Sequence, residues 1–303
     1  MKVRIYCPPA QHKLVLFERG LKAHGVEDIS YLRRGQYEPA DLAVHWAHKS
    51  PNIQNAQRAH GLDYMVMELA YFRSRTEYIS LGFNGLNGHA EFYSRDCPGD
   101  RWAKHGVELK PWKTGGDYVL LLGQVLGDAS LATCRHYIAF LKDALERLKC
   151  YGLPVKFRPH PKGKTPPINA EIAGGSLEDA LSKAAVAVSW NSNSLVDAVI
   201  AGVPTIACDK GSMAWDVSAH GIGAEIIRPD RTQWAHNLAY TQWTGREVES
   251  GEAWAHLKQR YDGRPIERMP EPERHGPAPD SSELLALTPA ERRRAERLLG
   301  LRA

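Results

Sequence analysis

Four clusters of polar residues stand where an apolar run of the sequence gives way to a turn, and each carries side chains able to do chemistry. Arg158-Pro159-His160-Pro161 sets a guanidinium and an imidazole on a proline-stiffened turn, an arrangement suited to gripping a phosphate or diphosphate. A surface turn with a capping arginine would read the same way. Trp190-Asn191-Ser192-Asn193-Ser194 opens a helical run, so hydroxyls and free amides meet the positive end of a helix dipole and offer an anion site. Simple N-capping by Ser194 or Asn193 is the plainer account. Asp197, one turn further on, is placed either to accept hydrogen bonds from ribose hydroxyls or to compensate the dipole. Glu68 closes another apolar run, where a carboxylate could deprotonate an acceptor hydroxyl or pair with Arg73 or Arg75. His45 and His48 are three apart without a third ligand, so no metal site is expected.

These clusters need elements to hold them. Residues 3–7 are short and β-prone, and Leu14, Phe17 and Leu21 then recur at helical spacing; 41–47 and 64–68 read as strands with a polar helix at 51–60 between them. The stretch 71–102 is rich in Gly, Asn, Arg and aromatic residues and reads as a long irregular segment lining a site. The alternation restarts with a strand at 118–122, helical periodicity over 130–151, and a strand at 155–158. A helix at 176–184, a strand at 185–189, a helix at 195–201 and a strand at 204–208 follow. Alternating strands and helices predict parallel sheets, which bind ligands beyond the carboxyl ends of their strands. The expected division is a first α/β domain over 1–116, a second over 117–262, and a Pro-rich linker with a basic helix over 263–303 carrying Arg292, Arg293, Arg294 and Arg297.

With 303 residues, 43% hydrophobic and 24% charged, the chain has the makings of two globular domains. No apolar run approaches the roughly eighteen residues of a membrane helix, and prolines interrupt the N-terminus before a signal core could form. Five cysteines without a Cys-x-x-Cys pair fit a reducing cytosol, so a cytoplasmic protein is expected. The net charge of +4 suits nucleotides, nucleic acid or an acidic glycan alike.

Taken in order, Leu122-Gly123-Gln124-Val125 with Asp128-Ala129-Ser130, then Arg158-Pro159-His160-Pro161, then Ser192-Asn193-Ser194 with Asp197-Ala198 and Ala201-Gly202-Val203-Pro204, resemble the capsule polysaccharide biosynthesis family of bacterial glycosyltransferases. The likeness covers about 118–216. Glu68-Leu69-Ala70-Tyr71-Phe72-Arg73-Ser74 is similar to that family's Glu-Asp-Gly-Phe-x-Arg-Ser, with Leu69 and Ala70 in place of Asp and Gly. The resemblance implies an α/β GT-B fold, two Rossmann-like domains facing a central cleft, and glycosyl transfer without metal or cofactor. The co-substrate would be a nucleotide-sugar, UDP- or CMP-linked; the best-known relatives carry Kdo on CMP.

On that footing Arg158, His160 and the amides around Ser192, Asn193 and Ser194 would stabilise the departing nucleotide phosphate. Asp197 would hold the ribose and Gln124 would line the site. Glu68 and His160 are the expected catalytic pair, with Arg73, Arg75, Asn84, Asn87 and His89 as acceptor contacts. Two acceptors compete. The family suggests a capsule or lipopolysaccharide-type glycan, as in Kdo transfer. Residues 81–88 are similar to proteins of bacteriophages, which favours slightly a 5-hydroxymethylpyrimidine in double-stranded phage DNA, modified in the host cytoplasm. The arginines at 33, 34, 73, 75, 95 and 101 and the basic terminal helix would then face DNA, and Tyr71, Phe72 or Phe83 could stack on a flipped base. A non-catalytic nucleotide-sugar or DNA-binding module is the third class.

Overall fold

The computed structural model describes residues 1–6, 12–33, 35–47, 51–75, 77–163 and 168–261. The chain forms two compact units: the first is Met1–Gly106 with a returning stretch that begins at Thr232, the second Val107–Arg231.

The first unit opens with β1 (Lys2–Tyr6), α1 (His12–Ala23), β2 (Asp28–Leu32), β3 (Leu42–Trp46), α2 (Pro51–Ala59) and β4 (Asp63–Leu69), followed by β5 (Tyr78–Phe83) and α3 (Asp100–His105). Strands β1 to β4 are parallel, and β5 turns back antiparallel on β4. Val3, Ile5, Leu42, Val44, Met65 and Met67 share a core with Leu14, Phe17 and Leu21 of α1, while Tyr6, Ala43, Tyr64 and Val66 pack with Ile53 of α2. Alternate residues thus bury both faces, as a parallel sheet requires. Ile79, Leu81 and Phe83 of β5 alternate into the same core. The stretch 71–102 is therefore not one irregular segment; it contains the buried strand β5 and the start of α3.

In the second unit, β6 (Tyr118–Leu122), α4 (Tyr137–Arg147), β7 (Val155–Arg158), β8 (Glu171–Ile172), α5 (Leu177–Lys183), β9 (Ala184–Ser189), α6 (Ser194–Ile200), β10 (Thr205–Ala207) and β11 (Ala219–His220) follow in turn. They form a parallel sheet in the order β11-β10-β9-β6-β7-β8. The chain enters this unit along the end of α6: the Lys110 amide donates to the Ile200 carbonyl at 3.0 Å and the Lys113 amide to that of Gly202 at 2.8 Å. A Cβ on Gly202, whose φ is +76°, would lie 2.1 Å from the Pro111 carbonyl oxygen, so both backbone shape and close approach require glycine there.

The chain then returns to the first unit as α7 (Thr232–Ala239), β12 (Gln242–Thr244), α8 (Gly245–Ser250) and α9 (Glu252–Leu257), and β12 completes the first sheet beside β5, giving β12-β5-β4-β3-β1-β2. This corrects the expected boundary, which kept the second domain intact over 117–262. The reason is burial: Trp243, Val248, Trp254 and Leu257 belong to the core of the first unit. Arg101 fixes the return. It is 4% exposed, donates to the carbonyls of Ala239 and Gln242, pairs with Glu247, and lies 3.8 Å from the centre of the Trp243 ring. An arginine expected to face DNA is instead an internal strut.

Among the described residues no helix is long and apolar enough to cross a membrane. Among the same residues no group of three or more His, Cys, Asp or Glu is placed to hold a metal. Arg34, His48 and the linker and basic helix expected over 263–303 lie outside the described residues.

Candidate functional site

Strands β9, β6 and β7 are neighbours in the second sheet, so the loops leaving them share one carboxyl edge. The Gly123 amide donates to the Arg158 carbonyl at 2.8 Å, and a Cβ on Gly123 would lie 3.1 Å from that oxygen, which keeps the first two loops in contact. Gln124 braces the third. Its Nε2 donates to Asn191 Oδ1 at 2.8 Å and Ser130 Oγ at 3.2 Å, while its Oε1 accepts from the Asn191 amide at 3.1 Å and Ser189 Oγ at 3.2 Å. The full hydrogen-bonding capacity of this amide is thereby used. At 6% exposure, Gln124 braces the loop from beneath, whereas the sequence suggested that it lines the ligand.

Asn191 passes the bracing on. Its Nδ2 donates to the Ser130 carbonyl at 2.7 Å and to Asp209 Oδ1 at 2.8 Å, and the same Asp209 oxygen accepts the Gly211 amide at 2.8 Å. Asp128 in turn holds Ser130 by accepting its amide at 2.9 Å and its hydroxyl at 2.8 Å. The bracing role of Asn191, and Asp209 altogether, were not legible in the sequence. Asn191 looks like its neighbours in a polar run, and Asp209 had only its place after β10 as a signal.

Upon this base stands the turn 191–194. The side chain that caps α6 is Ser192, whose Oγ accepts the Ser194 amide at 3.2 Å, and neither Asn193 nor Ser194 fills that role. Asn193 has helical backbone angles, makes no capping bond, and keeps a buried Oδ1 with no hydrogen-bond partner. A buried acceptor in that condition carries a desolvation cost that a ligand donor would relieve. Asp197 is half-buried in the first turn of α6. His160 is half-buried after β7, and its Nδ1 accepts the Lys162 amide at 3.1 Å, leaving Nε2 as the protonated nitrogen of the neutral ring. Arg158 directs Nη1 to the carbonyls of Ala173 at 3.2 Å and Gly174 at 3.4 Å, so part of its fork braces the segment after β8.

In the first unit Glu68 is half-buried near the end of β4, and its Oε1 accepts the Leu69 amide at 2.8 Å. Burial lowers the pKa of Lys13, which the Glu68 carboxylate partly opposes; the Lys13 ammonium lies 5.0 Å from the centre of the Trp46 ring. Arg73 is exposed with φ 63°, and Arg75 is half-buried. The expected acceptor contacts at 84–89 build a turn. Asn84 Oδ1 accepts the Tyr64 amide at 3.0 Å, and its Nδ2 donates to Asp63 Oδ1 at 2.9 Å. Asn87 takes a left-handed φ of 53° and opens a short 3-10 turn that includes His89. A Cβ on Gly85 would lie 2.1 Å from the His89 carbonyl oxygen. Gly82 and Gly85, by close approach, and Asn84 and Asn87, by their left-handed backbone, thus suit the turn itself, and the DNA expectation gains no support from them. Tyr71, Phe72 and Phe83 are each 1% exposed or less, packed inside the unit and closed to a flipped base.

Two units, each with a mostly parallel sheet covered by helices, make up the GT-B glycosyltransferase fold. Among solved structures the chain is similar to Thermosulfurimonas dismutans KpsC, beta Kdo 2,7 transferase, with a TM-score of 0.51 and 14% identity over 85% of this chain and 100% of that one. It is also similar to Thermosulfurimonas dismutans KpsC, beta Kdo 2,4 transferase, with a TM-score of 0.51 and 15% identity over 80% and 92%. No family model matches the sequence, and no curated protein matches it.

Proposed function

We propose that this chain is a glycosyltransferase that moves a sugar from a nucleotide-sugar to a hydroxyl acceptor, with the donor held at the carboxyl edge of the second sheet. The observation that carries this reading is the turn 191–194, braced from below by Gln124 yet retaining a buried Asn193 Oδ1 for an incoming donor group. A ribose or sugar hydroxyl supplies such a donor. The helix amides beyond Ser192, with His160 and the rest of the Arg158 fork from the end of β7 on the far side of β6, suit a phosphate leaving group. Asp197 would hold the ribose. Glu68 is the proposed base in the first unit, with Lys13 beside it, and a glycan hydroxyl the proposed acceptor.

The test is nucleotide release from a panel of CMP-, UDP- and GDP-sugars, alone and with glycan acceptors or hydroxymethylated duplex DNA. Acceptor-dependent release that falls at least about a hundredfold in His160→Ala supports the reading. Binding of donors with no turnover under any pairing would reduce the protein to a binding module. An adduct on DNA alone would replace the glycan acceptor.

A further inference from the structure

We infer that the cavity beside Trp190 receives the nucleobase of the donor, a site that extends the reading of the second unit as a nucleotide-sugar domain and rests on it. The cavity measures about 300 Å³, and Trp190, Phe140, Arg135, His136 and Asp143 contribute to its walls. That volume is at the small end of ligand sites, enough for one heteroaromatic ring and part of a pentose.

The indole is held in a fixed plane. Its Nε1 donates to Thr133 Oγ1 at 3.0 Å, and Phe140 meets it edge-on with centroids 5.1 Å apart and planes at 78°. Phe140 is itself stacked on Tyr137 at 5.9 Å, and the Tyr137 hydroxyl accepts the Gln124 amide at 2.7 Å. The residue that braces the turn 191–194 therefore also fixes the aromatic wall of the cavity. Trp190 directly precedes Asn191, so a ligand with phosphates at the turn has its ring on the same loop as the indole.

The lining chemistry matches a base better than a sugar. A base offers a flat π-face to the indole and carbonyl oxygens or ring nitrogens to the donors of Arg135 and His136, while an exocyclic amine could meet Asp143. A neutral sugar would call for several acceptors converging on its hydroxyls, and Asp143 is the one carboxylate in this wall.

The experiment is calorimetric titration of the full chain with CMP, UMP, GMP and inorganic pyrophosphate, in wild type, Trp190→Leu and Trp190→Phe, with thermal unfolding of each. Stacking predicts that Trp190→Leu weakens nucleotide binding about tenfold while pyrophosphate changes less than about twofold, and that Trp190→Phe keeps most of the affinity. Nucleotide quenching of wild-type tryptophan emission that disappears in Trp190→Phe gives a second readout from a folded protein. Equal nucleotide affinity in all three proteins, or equal losses for nucleotide and pyrophosphate, overturns the base site and leaves the donor reading standing. Failure of the wild type to bind any nucleotide overturns both.

Discussion

The turns at 84–89 and 190–194 each carry two asparagines, yet they use them in opposite ways. In the first, Asn84 turns its amide inward onto Tyr64 and Asp63, and Asp63 is in turn locked by Arg260, whose guanidinium also donates to the Tyr93 hydroxyl at 3.1 Å. In the second, support arrives from outside, from Gln124, Ser130 and Asp209 onto Asn191, and Asn193 is left with a buried oxygen that nothing satisfies. Composition marks both as turns. Which of them can bind is decided by whether the polar groups are used up within the fold.

That contrast can be broken by substitution. Arg260→Met should have the largest effect, because it leaves the Asp63 carboxylate buried without its cation; a loss of about 3–5 kcal/mol is expected in chemical denaturation. Nucleotide affinity of the protein that remains folded should be unchanged. If affinity fell in step with stability, the 84–89 region would not be mere scaffold.

Acid should expose the first unit as well. His105 is 4% exposed against Phe72 and Tyr78, and burial, aided by the Arg101 charge, pushes its pKa down to about 4. Above about pH 6.5 the ring is neutral in both folded and unfolded chains, so it adds no pH dependence. As pH falls from there towards 4, the unfolded chain takes up a proton that the folded one resists, and stability declines by up to about 3 kcal/mol. His105→Phe should flatten that part of the denaturation profile. A profile equally steep in the variant would assign the acid sensitivity elsewhere.

Smaller effects sharpen the comparison. Asn84→Ala should cost about 1–3 kcal/mol through the unpaired Tyr64 amide and the left-handed backbone, seen as a lower denaturation midpoint with donor binding intact. Asn193→Ala should do the reverse. Removing an unsatisfied acceptor should leave stability within about 0.5 kcal/mol of wild type or raise it, while nucleotide affinity falls about tenfold in calorimetry. A destabilised Asn193→Ala with unaltered affinity would erase the distinction between the two turns.

Much of this was legible in the residues. The strands at β1, β3, β4, β6, β7, β9 and β10 announce themselves as short apolar runs between turn residues, and the polar clusters that follow them fall on the sheet edge where a parallel topology gathers ligands. What escaped depends on partners distant in sequence. Strand β12 has three residues, Gln242-Trp243-Thr244, and no local pattern assigns so short a run to a sheet begun more than 200 residues earlier. Gln124 read as a ligand contact because its motif lies at the edge; its bonds to Ser189 and Asn191 arise only when β6 and β9 pair. Arg101 read as a surface cation because the aromatic and acidic groups that bury it arrive with the return of the chain.

That return also imposes an order on synthesis. Among the described residues the second unit ends at Arg231, whereas the first lacks a strand and part of its core until Trp243, Trp254 and Leu257 have been made. A nascent chain can therefore finish its later-starting half first, while the earlier half waits with an open β5 edge and an unfilled hydrophobic face. The stretch of translation between residues 83 and 244 is the interval in which this protein is most exposed to misassembly, and the one in which a chaperone would have most to protect.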